Sequence, residues 1–208
     1  LEPRAHARLC LPMVKELLEA TGMTLKELDA IAFGRGPGSF TGLRIAASIT
    51  QGLAFSLNIP VVPVSTLEAM VFQFGQKTPC LASDTSKQNV VAMLDARMNE
   101  VYAAIYELSY VENQCQVAEM SPEVVVKPGA VISPDKPYCV IGSGLHYQDL
   151  MPDLCVEALS CDVNVRPQAD AIARLGMLYL RQGKVVSAID AQPVYLRNEV
   201  AWEKLPGR

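Results

Sequence analysis

Gly34-Arg35-Gly36-Pro37-Gly38-Ser39-Phe40-Thr41-Gly42-Leu43-Arg44 sets four glycines and a proline between a segment that reads as strand and one that reads as helix. Glycine takes positive φ without a Cβ penalty and lets backbone N–H groups approach a ligand closely. A strand, glycine turn and helix in that order can therefore offer amides and a helix N-terminus to an anion. The spacing fits neither standard nucleotide signature. A P-loop needs Lys followed by Ser or Thr after its last glycine, and Leu43-Arg44 stands there instead. The dinucleotide fingerprint needs a glycine where Thr41 is found, and no acid follows the second strand to hold a ribose. Gly36, Gly38, Ser39, Thr41, Gly42 and Arg44 are the candidate phosphate-like loop. The competing reading is a structural turn, with positive φ or close helix contact expected at Gly38 and Gly42.

Outward from this run, Leu28 to Phe33 reads as a strand and Leu43 to Leu57 as a helix apolar on nearly every side, with small residues at Ala46, Ala47 and Ala54. Val61 to Val64 is a second strand, and Ser65-Thr66-Leu67-Glu68 matches a capping box that opens another helix. Two strand-then-helix units at this spacing predict an α/β domain. Before them, Arg4 to Ala20 carries Leu9, Met13 and Leu17 at helical spacing, widened by Val14 and Leu18. Thr24 to Glu27 forms a further capping box. Composition shifts at Lys77-Thr78-Pro79, dividing the chain into 1–78 and 79–208. In the second part, Asn89 to Leu94 and Val101 to Leu108 read as a hairpin about Asp95 to Glu100. Tyr138 to Ile141 is another strand. Gly142-Ser143-Gly144 repeats the strand, glycine, helix pattern in miniature, and Ala169 to Leu180 is a helix.

At 208 residues, half of them apolar, the chain suits one large domain or two small ones. A net charge of -4 without a Lys/Arg cluster gives no electrostatic reason for direct, unaided nucleic-acid binding. Six cysteines (Cys10, Cys80, Cys115, Cys139, Cys155 and Cys161) lie without any C-x-x-C pair and read as reduced and mostly buried. No stretch has the length and apolar character of a membrane span, so a soluble, cytoplasmic protein is expected. The sequence opens at Leu1 with no methionine, signal segment or first strand, and loss of N-terminal residues is the expectation. Ser39 sits outside a G-x-S-x-G elbow, and a triad would have to recruit His6 or His146, the two histidines. Neither histidine has a metal-ligand spacing partner. Asp95, Arg97 and Glu100 read as a salt-bridged turn, while Tyr195 and Arg197 read as groups sealing the C-terminal segment by packing and hydrogen bonding.

Four blocks carry a family resemblance. They are Gly36 to Ile45, Val64 to Ala69, Leu94 to Tyr102, and Pro193-Val194-Tyr195-Leu196-Arg197. Together they resemble the bacterial TsaB (YeaZ) family, collinearly from about residue 9 to the end and weakly between Cys115 and Gln168. The resemblance implies an actin/hexokinase/Hsp70-like (ASKHA) fold of two related lobes. It also implies a part in forming the threonylcarbamoyl group on adenosine of tRNA. The partners it implies are TsaD, in a heterodimer, and the ATPase TsaE, with homodimer formation when alone and tRNA engaged only indirectly. In that family the first two helices pair with their counterparts in TsaD, which makes Leu9, Met13, Leu17, Ala46, Ala47 and Ala54 the candidate partner interface. The fold normally opens with three strands that are absent from this sequence. TsaD-like proteins supply two metal-binding histidines after the second strand, and the matching positions here are Thr66 and Met70. The implied role is a non-catalytic subunit without metal or cofactor of its own, ATP being used by the wider complex. The alternative is an ASKHA-type small-molecule kinase or nucleotide-binding enzyme.

Overall fold

The structure, a computed structural model, describes residues 6–78, 87–112, 114–135 and 137–197. Two sheets organise it. Strand β1 (Ile31–Gly36) runs parallel to β2 (Val61–Ser65), in register from Ile31 opposite Val61. Between them the chain crosses over through a helix, the only economical way to join parallel neighbours. That helix, α2 (Phe40–Leu57), begins three residues before the predicted Leu43 because Ser39 caps it, its Oγ accepting from the Gly42 amide. It ends at Asn58, which takes the left-handed conformation. Ahead of β1 lies α1 (His6–Thr21), which packs mainly on α2. The helix α3 (Thr66–Lys77) follows β2 directly, capped by Ser65 as the sequence predicts.

The second sheet is built around a long antiparallel hairpin, β3 (Gln88–Arg97) and β4 (Glu100–Val111). Met98 and Asn99 form its two-residue loop, both with φ of 56°, the left-handed geometry that matches the twist of a hairpin. Strand β5 (Gln114–Glu119) and the short β6 (Val124–Val126) pair with β4. On the other side β7 (Tyr138–Ile141) runs parallel to β3, and β8 (Ser160–Asp162) parallel to β7. Strands β5 and β8 are largely polar and β6 is only the three valines Val124 to Val126, too short to mark a strand, so all three depend on the neighbouring strand for their ladder. The helix that follows Gly142-Ser143-Gly144 is a 3-10 helix over Ser143–Leu150, followed by the short α4 (Pro152–Val156).

Helix α3 lies between the sheets, with Leu67, Val71 and Phe74 packed against Val90, Leu94 and Tyr106 of the large sheet. Its Ala69 and Phe72 pack on Val62 and Val64 of the small one. The helix α5 (Ala169–Arg181) then returns to the small sheet, where Ala171 and Leu175 join the same cluster. Gly176 permits that return, since a β-carbon there would stand 2.5 Å from Ala32 Cβ. Beyond α5 the chain stays on the small sheet, with a bridge between Val186 and Val61 and with Ala191 buried beside Phe33, Ala47 and Ala54. A division at residue 78 therefore separates the strands of the two sheets but not the elements packed on them.

Among the described cysteines only Cys139 is buried; Cys10, Cys115 and Cys155 are half-buried and Cys161 is exposed. The expectation that the cysteines are mostly buried is thus corrected: Cys115 and Cys161 lie on the edge strands β5 and β8, and Cys10 and Cys155 on helices only partly covered. All five are free thiols, and Cys80 lies outside the described residues.

Candidate functional site at the glycine turn

Gly36 closes β1 with φ of +107° and is joined to Pro37 by a cis peptide bond. A β-carbon on Gly36 would come within 2.9 Å of Leu43 Cδ1 and 3.1 Å of the Val194 carbonyl oxygen. Gly38 and Gly42 are different. Neither has positive φ, and added β-carbons would meet neighbours no closer than 4.0 Å and 3.5 Å respectively. The expectation of left-handed backbone or tight helix contact at these two positions is corrected; the turn places that demand on Gly36, where β1 ends and the chain must double back under the C-terminal segment.

From the start of α2, Phe40 and Arg44 project on the same side, one helical turn apart. The Arg44 guanidinium carbon lies 3.8 Å from the centre of the Phe40 ring, and its Nε donates to the Tyr195 hydroxyl at 3.1 Å. The Phe40 and Tyr195 rings are themselves 5.5 Å apart at 47°. Tyr195 is held there because the Val194 amide donates to the Arg35 carbonyl at 2.8 Å. Two residues on, Arg197 reaches the hairpin, donating to Glu100 at 2.5 Å and to the Ala96 carbonyl at 3.3 Å. The hairpin turn is stiffened in turn by Asp95, which pairs with Arg97 at 3.1 Å and accepts from Tyr147. Together the glycine turn, the hairpin and the C-terminal segment enclose a largely apolar cavity of about 370 Å³, with Phe40, Leu43, Met98, Tyr102 and Tyr195 in its walls. Ser39 serves as the α2 cap, and Thr41 is exposed.

A second polar cluster stands at the carboxyl ends of β1 and β2, where open α/β sheets commonly bind ligands. Here the protein fills the place itself. Glu123, from the loop before β6, is almost fully buried and accepts from both terminal nitrogens of Arg35, at 2.9 and 3.3 Å. Ser65 donates to the same carboxylate, and Tyr106 does so at 3.3 Å. Burial pushes the Tyr106 hydroxyl far above its ordinary range, so it remains a donor. Next to this group Glu68 accepts from Tyr179, and burial raises the Glu68 carboxyl above its usual value. The sequence did not single out Glu123, Tyr106 or Phe40. Glu123 meets Arg35 across 88 residues and Ser65 across 58, and no local pattern encodes such a meeting.

The interface residues expected on the helices divide. Met13 and Leu17 are exposed at 58% and 66%, and Leu9 is half-buried. Ala47 and Ala54, at 4% and 1% exposure, belong to the core under α2, while Ala46 is half-buried. The assignment of Ala47 and Ala54 to a partner surface is corrected: seven residues apart, they share the face turned to the small sheet. Thr66 and Met70, at the positions of the TsaD histidines, are buried packing residues of α3, and Met70 sits in the core of the large sheet. His146 is exposed, and nothing beyond its place in α1 is described for His6. No group of three His, Cys, Asp or Glu side chains among the described residues is arranged to hold a metal.

Comparison with known proteins decides the family. Residues 2–143 match the family model described as TsaD, tRNA N6-adenosine threonylcarbamoyltransferase. A Haemophilus influenzae protein, tRNA threonylcarbamoyladenosine biosynthesis protein TsaB, is 38% identical over 218 residues, covering 100% of this chain and 86% of its own length. The Escherichia coli protein of the same name is 37% identical over 212 residues, covering 99% and 87%.

This chain belongs to the TsaB (YeaZ) family.

The family-model match places it in the wider TsaD family as well. Its fold is that of the solved YeaZ from Pseudomonas aeruginosa, with a TM-score of 0.78 at 37% identity over 94% of this chain and 86% of that one. Three of the four sequence blocks that suggest TsaB meet at the cavity beside the glycine turn: the turn itself, the hairpin loop and the C-terminal Val194-Tyr195-Leu196-Arg197.

Proposed function

We propose that this chain acts in tRNA threonylcarbamoyladenosine biosynthesis as a non-catalytic subunit that binds and activates TsaD. The observation that carries the reading is α1. Met13 and Leu17, one helical turn apart on the same face, are 58% and 66% exposed on a helix that packs mainly on one other helix. An uncovered apolar face of this kind marks a protein partner. The non-catalytic part is supported at the carboxyl ends of β1 and β2, where, among the described residues, the Glu123 carboxylate is taken up by Arg35, Ser65 and Tyr106. On this reading the chain forms one lobe pair of the ASKHA type in the cytoplasm and dimerises through α1 when TsaD is absent. TsaE joins through the complex, and tRNA is reached only through TsaD.

Leu17→Glu tests the reading, because a charge there leaves the fold intact and removes an apolar anchor. Loss of a central interface side chain costs about 2 kcal/mol or more, roughly a 30-fold weaker complex. Size-exclusion and calorimetric titration with the TsaD homologue of the same organism give the answer; unchanged affinity in a folded variant overturns the reading. Transfer of a threonylcarbamoyl group by this chain alone, or stoichiometric metal retained after mild chelation, would overturn its non-catalytic part.

A further inference from the structure

We propose that the cavity beside the glycine turn is a docking site for an apolar side chain of a protein partner carried next to a carboxylate. The walls favour a protein over a small metabolite. Phe40, Met98 and Tyr195 are 48%, 56% and 42% exposed, so the cavity opens broadly to the surface. Phenylalanine, tyrosine, methionine and arginine are the residue types enriched where proteins meet, and aromatic side chains beside arginine form the centres of such contacts. The volume of about 370 Å³ gives room for a large apolar side chain.

Charge selects the neighbour. Arg197 lines the cavity and is already neutralised by Glu100 at 2.5 Å, while Arg44 touches the wall residues Phe40 and Tyr195. Arg44 has no carboxylate in ion-pair distance among the described residues. It is nevertheless held in place by the Phe40 ring and the Tyr195 hydroxyl. A fixed, uncompensated cation at the edge of an apolar cavity complements an acid placed beside an apolar anchor. This inference is independent of the α1 reading, since it uses another surface.

Titration with capped peptides tests it, followed by NMR of methyl-labelled methionine so that Met98 reports on the cavity. The probes are acetyl-Gly-Phe-Asp-Gly-amide, its Asn analogue and its analogue with Gly in place of Phe. The Asp peptide should shift the Met98 methyl saturably and bind about 5-fold more tightly than the Asn peptide, as an exposed ion pair allows. The peptide lacking Phe should give no shift. Arg44→Gln should abolish the preference for Asp over Asn, Arg44→Lys should retain part of it, and Phe40→Glu, which removes an aromatic wall and sets an acid beside Arg44, should abolish the Met98 shift while the other methionine signals stay in place. Equal affinities for the three peptides, or shifts confined to methionines away from the cavity, overturn the proposal.

Discussion

At Gly36 two constraints coincide: φ of +107° and a β-carbon position 2.9 Å from Leu43. Gly36→Ala must move α2 or the C-terminal segment and accept strained backbone, a combined cost of about 2–3 kcal/mol. Gly38→Ala, which has room and ordinary φ, should stay within about 0.5 kcal/mol. Urea melts of the two variants check the contrast, and equal losses would remove the special role of Gly36. Ala47 offers a second residue-scale comparison. Ala47→Glu puts an unpaired charge under α2 in the cluster of Phe33, Ala54 and Val61, and should cost at least about 3 kcal/mol. Leu17→Glu on exposed α1 should change stability by no more than about 0.5 kcal/mol. Circular-dichroism melts distinguish them: a normally folded Ala47→Glu variant would show that α2 is not seated on the small sheet as described.

Helix α3 carries a half-buried carboxyl in its first turn. Glu68 sits in its first turn, where a helix N-terminus favours an acid, yet burial raises its carboxyl above the ordinary 4.5. The sign follows from linkage. With the folded-state value above the unfolded one, the unfolded chain loses its proton first, and stability falls as pH rises from about 4.5 through the folded-state value, then levels off. Glu68→Gln removes the titration. The stability of the wild type relative to this variant should therefore be greatest at low pH and decline across that window; denaturant titrations from pH 4 to pH 8 measure it. A flat difference, or one that grows with pH, would mean that the partners of Glu68, chiefly Tyr179 with Arg35 and Lys184 nearby, outweigh its burial.

Across the whole molecule, the two sheets are joined by α3 and, at its N-terminal end, by the pair Arg35 and Glu123. Removing one partner of a buried pair leaves the other charge uncompensated, so Glu123→Ala should cost about 3 kcal/mol. Arg35→Met with Glu123→Met should cost less than either single change implies, because the paired charges and their desolvation disappear together. A double-mutant cycle on unfolding free energy measures the coupling, and additive losses would show that the pair does not join the sheets. The C-terminal segment makes a second join, from Val194 on β1 to Arg197 on the hairpin.

The sequence by itself determined the α/β class, most helices and the inner strands, because hydrophobic period, caps and turn residues are local quantities. Ser65 and the Asp95 to Glu100 turn announce their roles within a few residues, whereas the Ser39 cap emerges only with the start of α2 at Phe40. It also determined the family, since the four blocks are themselves strings of residues. The tertiary structure alone decided which side of α2 faces the sheet, because a helix apolar nearly all round has no period to orient it. It alone produced β5, β6 and β8, whose hydrogen bonds depend on a neighbour already in place. It alone brought Glu123 to Arg35 and Tyr195 to Arg44, contacts across 88 and 151 residues that depend on how the packed helices and sheets place distant segments.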